Sequence, residues 1–171
     1  MLLSIVKYGE PILETPATAV TEFGTPRLSK LIDDMFETMY AARGIGLAAP
    51  QVNLGIRLAV VDLSCGEDPA QKHVVINPRI VSREGKTSGE EGCLSIPGFR
   101  EQVNRAKAVR VAARNQYGES VEISGEDLLS RCLQHEIDHL EGVLFINHLS
   151  PLKRDLIRRK IRKLVKLGEW T

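Results

Sequence analysis

The sequence is poor in cysteine, in aromatic residues and in long apolar runs. Only three cysteines occur in 171 residues, and they are Cys65, Cys93 and Cys132. An odd, widely spaced set excludes a disulfide framework and favours a reducing compartment. No apolar run approaches the roughly 18 residues that a membrane-spanning helix needs, and the N-terminal residues lack the pattern of a signal peptide. We therefore expect a cytoplasmic protein that does not bind membranes.

Net charge is almost absent as well, since 23 basic and 22 acidic side chains leave a formal charge of +1. The charges are unevenly distributed, because residues 151–171 carry eight basic and two acidic side chains, whereas residues 1–150 carry 15 and 20. The apolar fraction of 43% excludes disordered and fibrous classes. We expect residues 1–171 to form one domain that needs no structural metal, so a metal site in it would be functional.

Apolar periodicity predicts three helices, with the strands between the first helix and the second. The helices are predicted at 25–44, at 124–142 after a capping-box-like Ser124 and Asp127, and at about 151–167. Runs rich in valine and isoleucine predict antiparallel strands at Arg57–Leu63, His73–Val81, Val103–Ala113 and Glu119–Ser124. This order predicts an α+β fold in which antiparallel strands pack around the second helix, with an N-terminal and a C-terminal helix beside them.

The second helix contains the HExxH pattern, in His135-Glu136-Ile137-Asp138-His139. Residues four apart lie on one face of a helix, so both imidazoles can reach one metal ion. Glu136 lies about 100° around the helix from His135, so its carboxylate can flank the ion and accept a proton from water. The pattern predicts a metal-dependent hydrolase with Glu136 as its general base.

A catalytic site of this kind needs a third protein ligand. Cys132 shares the histidine face, but its displacement of roughly 10 Å along the helix from His139 is too large for one ion. Cys93 is a better ligand, since the glycine before it lets the backbone approach closely and a cation would stabilise its thiolate. Spacing alone leaves Cys65 open as well.

Three segments in order resemble the motifs of the peptide deformylases, and they are Gly44–Gln51, Glu91–Ser95 and His135–His139. The likeness runs from Lys7 to the final helix and is to the bacterial form with a helical C-terminus. It implies hydrolytic removal of the N-formyl group from the formylmethionine of newly synthesised polypeptides. It also implies one ion per chain on Cys93, His135 and His139, with iron(II) as the natural ion and zinc, nickel or cobalt as substitutes.

The resemblance also implies roles for other residues. Gln51 and the backbone N–H of Leu94 match the donors that stabilise the oxyanion. The residues expected to bind substrate are Ile45, Gly46, Leu128, Cys132 and Arg100. Core packing would explain the three apolar side chains among them equally well, and Asp138 is open between supporting the site and forming a salt bridge. Arg131 is unusual beside an apolar wall, so the pocket shape of the family is not carried over.

Two other functions are consistent with the metal motif. The first is an HExxH metalloprotease, although those enzymes take a glutamate or a third histidine as third ligand. The second is a binding module with a structural metal, although such a site needs four protein ligands. The basic C-terminal helix is either a solvated surface or a contact with ribosomal RNA phosphate, without recognition of base sequence.

Overall fold

The computed structural model describes residues 1–171, which form three helices and seven strands. The helices are α1 (Pro26–Ala41), α2 (Asp127–Leu140) and α3 (Pro151–Lys166). The strands are β1 (Gly46–Ala48), β2 (Leu58–Asp62), β3 (Lys72–Glu84), β4 (Thr87–Cys93), β5 (Ile96–Arg105), β6 (Ala108–Arg114) and β7 (Ser120–Glu126). These elements confirm the predicted α+β class, and none of the helices is long and apolar enough to cross a membrane.

The strands form two antiparallel sheets. One has five strands in the order β1-β2-β3-β6-β7, and the other is the hairpin β4-β5. Every residue of β2 is buried, because successive side chains point to opposite faces and each face is covered. Leu58 and Val60 pack in the cluster that contains α1, whereas Ala59 and Val61 pack with α2. The second helix therefore lies against the sheet, as the sequence predicts.

The predicted strand Val103–Ala113 is wrong, because the chain turns within it. It is divided between β5 and β6, and the turn at Ala106 and Lys107 lies against α2. Ser130 Oγ donates to the Ala106 carbonyl at 2.9 Å, and the Ala106 N–H donates to Gln134 Oε1 at 3.2 Å. Sequence reasoning also missed β1 and β4, which are short or rich in glycine and glutamate and lack the apolar alternation of a strand.

The predicted start of α2 is also wrong. Ser124 lies in β7, because the β6-β7 ladder continues as far as the pair Ala108 and Glu126. The helix begins at Asp127 without a side-chain cap, and it ends at Leu140 rather than Gly142. The other two helix starts are confirmed by caps, since the hydroxyls of Thr25 and Ser150 accept from the backbone N–H of the third residue of each helix, Leu28 and Lys153.

The third helix packs on the protein through a narrow face. Ile157 and Ile161 are buried in a cluster that includes Leu13 and Phe145. Three other apolar residues of this helix are exposed, namely Leu152, Leu156 and Val165. The contact with the body is completed by Arg158 and Trp170, which donate to Tyr8.

We expect Ile161→Ala to lower the free energy of unfolding by about 2 kcal/mol, because it opens a cavity in this cluster. Leu156→Ala is the matched control, since Leu156 lies on the same helix but is exposed, and it should have almost no effect. Urea unfolding of the two variants measures both values. Equal losses would contradict the packing of α3 through Ile157 and Ile161.

Candidate active site

Three side chains with metal-binding atoms meet where the hairpin β4-β5 contacts α2. Cys93 is the last residue of β4, and His135 and His139 lie one turn apart on α2. One ligand atom from each lies within 4.8 Å of the other two, and Cys93 Sγ is 3.3 Å from His139 Nε2. Neither of the other cysteines joins this group, because Cys132 is buried elsewhere on α2 and Cys65 is exposed.

The chemistry of this cluster fits a divalent metal ion. A thiolate with two imidazoles suits zinc and the other transition metals. Burial lowers the pKa of His139 well below its ordinary value, so its imidazole is in the neutral form that a metal requires. Three donors also leave a coordination position open, which is the arrangement of catalytic rather than structural sites.

A buried carboxylate orients one of the histidines. Glu91 Oε1 accepts from His135 Nδ1 at 3.0 Å, which turns the other ring nitrogen toward Cys93 and His139. Arg105 donates to both oxygens of Glu91, at 2.7 and 2.9 Å. Burial opposes the charge of Glu91, but the hydrogen bonds from His135 and Arg105 outweigh it and lower its pKa to about 2.

Asp138 forms an ion pair and does not belong to the metal-binding cluster. Asp138 Oδ2 accepts from Arg105 Nη1 at 2.8 Å and lies 2.8 Å from His148 Nε2. Asp138 therefore supports the site indirectly, through the arginine that pairs with Glu91.

Glu91 and Arg105 were not predicted from the sequence as site residues. Glu91 could have been found, since it opens the second motif, whereas nothing in the sequence around Arg105 marks it.

Glu136 lies beside the cluster and is almost completely buried. Burial raises its pKa to about 7, although the charges of His135 and Arg105 act in the opposite direction. Its Oε1 is buried without a hydrogen-bond partner. A Cβ atom at Gly46 would lie only 2.9 Å from the Glu136 carboxyl carbon and 3.0 Å from Cys132 Sγ. Glycine at position 46 is therefore what lets β1 lie against this carboxylate.

Gln51 is held in one orientation beside Cys93. Its Oε1 accepts from the Ala48 N–H at 3.0 Å, so its amide nitrogen points toward the cluster. That nitrogen donates to Ser95 Oγ at 3.1 Å and to Cys93 Sγ at 3.5 Å. Leu94 lies in the tight turn that joins β4 to β5, directly after Cys93. Both residues therefore lie next to the metal-binding atoms.

A cavity of about 540 Å³ opens onto these groups. Apart from the buried His139, all the site residues expected from the sequence line it, and they are Ile45, Gly46, Gln51, Cys93, Leu94, Arg100, Leu128, Cys132, His135 and Glu136. Among these, Arg100 is exposed and donates to Glu90 Oε1 at 3.0 Å. Arg131, which the sequence places beside the apolar wall, lines the cavity too, and so does Glu91, which was not expected there.

Comparison with known proteins identifies a single family. The family described as Polypeptide deformylase matches residues 2–155. A peptide deformylase from Acidobacterium capsulatum is 58% identical over 170 residues, which cover 99% of each chain. One from Xylella fastidiosa is 49% identical over 164 residues, or 95% of each chain.

Solved structures agree with the sequence comparison. A crystal structure of a peptide deformylase from Legionella pneumophila has a TM-score of 0.91 and 45% identity, and the match covers 100% of this chain and 99% of that one. A peptide deformylase from Plasmodium falciparum has a TM-score of 0.89 and 35% identity, with 98% of each chain covered. The chain therefore belongs to the peptide deformylase family.

Proposed function

We propose that the cavity is the active site for the reaction of this family and that the residues around it bind the metal, the substrate and the oxyanion. As a member of the family, the chain is a metal-dependent hydrolase that removes the N-formyl group from the formylmethionine of newly synthesised polypeptides. The observation that carries the assignment of the site is the Cys93, His135 and His139 cluster beside the buried Glu136.

The three clustered residues would hold one divalent ion per chain, with the Cys93 thiolate reducing its net charge. From the resemblance to the family we propose iron(II) as the natural ion, with zinc, nickel or cobalt as substitutes; thiolate and imidazole donors do not by themselves select among these ions. When bound, the ion supplies Lewis acidity, which makes water easier to deprotonate and polarises the formyl oxygen.

Glu136 would act as general base and then as general acid. Its unpartnered Oε1 is free to accept the proton of the attacking water, and burial holds its pKa close to neutrality. The same carboxyl group would then protonate the amine that leaves as the formyl carbon–nitrogen bond breaks. Gly46 maintains this position, since a larger residue would displace the carboxylate.

Gln51 and Leu94 would stabilise the oxyanion that forms on the formyl group. The Gln51 amide is oriented before substrate binds, by its contacts with Ala48 and Ser95, so little reorganisation accompanies the reaction. The backbone N–H of Leu94 is the second donor. Both donors lie next to Cys93, since Gln51 Nε2 is 3.5 Å from its Sγ and Leu94 follows it in the chain.

The remaining cavity residues would bind the substrate. Ile45, Leu128 and Cys132 provide an apolar wall for the methionine side chain, next to the metal ligands. Gly46 lies on β1, the edge strand of the five-stranded sheet, where an extended peptide can pair with the backbone. Arg100, which is exposed, is available to the peptide backbone or carboxylate.

The family match decides against the two other functions that the sequence left open. An HExxH metalloprotease would need a glutamate or a third histidine as ligand, whereas the cluster has a cysteine. A structural metal site would need a fourth protein ligand, and the cluster contains three. An assay that compares formyl-Met-Ala-Ser with an unformylated peptide of the same sequence tests this conclusion directly.

We expect Glu136→Gln to keep the metal and to lower kcat at least about 100-fold, because an amide cannot accept the water proton. In the wild type, kcat/KM should fall with decreasing pH as Glu136 is protonated. The midpoint of this fall should lie between the ordinary pKa of 4.5 and about 7, since burial raises the pKa of Glu136 and a bound ion lowers it.

For the Glu136→Gln variant, the control is Glu141→Gln, because Glu141 is exposed. Near-wild-type activity in Glu136→Gln would contradict the role of Glu136 as general base.

We expect Cys93→Ser to lose most of its metal, because a hydroxyl is a poorer ligand than a thiolate, whereas Cys65→Ser and Cys132→Ser should retain it. Metal analysis after anaerobic purification measures this, with a deformylation assay on the same samples.

Exposure to air should inactivate an iron form of the enzyme faster than a nickel form, through oxidation of iron and of Cys93. Equal rates would contradict iron as the oxygen-sensitive centre.

We also propose that the enzyme is cytoplasmic, that residues 1–171 form one domain, and that α3 contacts the ribosome. Six of its basic side chains are exposed, and they are Lys153, Arg159, Lys160, Arg162, Lys163 and Lys166. A basic surface of this kind would concentrate the enzyme where formylated chains emerge, by displacing counterions from RNA phosphate.

Because Ile157 and Ile161 lie in the core, charge substitution tests this contact better than removal of the helix. We expect the triple substitution of Arg159, Arg162 and Lys166 by Gln to abolish sedimentation with ribosomes at low salt and to leave activity on free peptides unchanged. The same change at Arg79, Arg83 and Arg110, all exposed, is the control. Binding by the wild type that does not weaken as salt rises would contradict the proposal.

A further inference from the structure

The cavity wall contains one buried cation that the mechanism above does not use. Arg131 lies on α2 between residues that line the cavity, and its side chain is only 10% exposed. Its guanidinium reaches across to the hairpin β4-β5. There Nη2 lies 2.9 Å from the Gly89 carbonyl, 2.8 Å from that of Val103 and 2.8 Å from Glu91 Oε2.

The hairpin has a gap that matches this guanidinium. A Cβ atom at Gly89 would lie 3.2 Å from both Cζ and Nε of Arg131, which is too close for either group to stay in place unchanged. The absence of a side chain at position 89 therefore allows the guanidinium to lie flat against β4. An arginine on α2 and a glycine on β4 form this part of the wall together.

Some N–H groups of the guanidinium have no acceptor in the protein. The guanidinium has five N–H groups and four acceptors. Nη2 donates to three of these acceptors, and Nη1 donates only to the Thr87 carbonyl, at 3.3 Å. No group of the protein accepts a hydrogen bond from Nε, and Nε is not fully buried. Because Arg131 is one of the residues that line the cavity, an N–H group without a protein acceptor belongs to a wall that Leu128 and Cys132 otherwise make apolar.

We propose that Arg131 determines the side-chain specificity of this pocket by donating to the sulfur of the substrate methionine. A thioether is a weak acceptor, and a methylene group of the same shape is none. A guanidinium at the wall therefore favours methionine over norleucine, and it favours methionine sulfoxide, a stronger acceptor, over both. This inference rests on the proposed function, since it requires the methionine side chain to enter the cavity beside Leu128 and Cys132.

The test measures kcat/KM for three peptides that differ only in the formylated residue, methionine, norleucine or methionine sulfoxide, each followed by Ala-Ser. We expect Arg131→Met to lower the methionine-to-norleucine ratio about two- to fivefold, the effect of one weak hydrogen bond. The sulfoxide-to-norleucine ratio should fall about tenfold, because the lost bond is stronger. Ratios equal to those of the wild type, in a variant that folds, would overturn the proposal and leave Arg131 as a structural ion pair.

A second arginine variant controls for the change in net charge. Arg110→Met removes an exposed arginine of β6 that does not line the cavity, and it should leave both ratios unchanged. A shift equal to that of Arg131→Met would overturn the proposal, because the effect would then come from net charge alone. Loss of all deformylation in the wild type would instead contradict the proposed function itself.

Gly89→Ala tests the same wall with the charge retained, and it serves if Arg131→Met does not fold. The new methyl group should push the guanidinium into the cavity and shorten the pocket. We expect kcat/KM for formylmethionine to fall about threefold relative to formylnorvaline, which is shorter. An unchanged ratio in this variant would show that the guanidinium does not contact the substrate side chain and would overturn the proposal.

Discussion

The buried carboxylate of Glu91 is the interaction on which the site depends. It lies at the junction between the hairpin and α2, where Arg105 on β5 and Arg131 and His135 on α2 all donate to it. Two of the three residues of the Cys93, His135 and His139 cluster are on the helix and the third is on the hairpin, so these contacts bring them together. Removing Glu91 would leave the buried Arg131 without a carboxylate partner, and an unpaired buried charge costs far more than a surface ion pair gains.

Two buried glutamates of the same site have opposite electrostatic environments. Glu91 accepts hydrogen bonds from three cationic or protonated partners, so its pKa falls to about 2 and it remains charged. Glu136 is buried with one oxygen unpartnered, so its pKa rises to about 7. A permanently charged carboxylate suits the orientation of His135, whereas one near neutrality suits proton transfer. The assignment of a structural and a chemical role to these residues follows from their surroundings, since the side chains are identical.

Close backbone approach is the second requirement of the site. Gly46 allows β1 to lie against Glu136, and Gly89 allows Arg131 to lie against β4. In both places a side chain of α2 occupies the space that a Cβ atom would need. The cavity is thus shaped by pairs of residues, one on the helix and one on a strand, and a change at either position alters the position of the other.

The three helices, the α+β class, the HExxH pair and, through three ordered motifs, the family could all be predicted from the sequence. These are local or ordered patterns, because helix spacing fixes which residues share a face. The remaining features depend on tertiary contacts. The tertiary structure divided Val103–Ala113 between two strands, placed Ser124 in a strand, paired Asp138 with Arg105, and brought Arg131 to Gly89 across 42 positions of the chain. Such contacts depend on how the hairpin packs against α2, and neither the periodicity nor the spacing of the sequence contains that information.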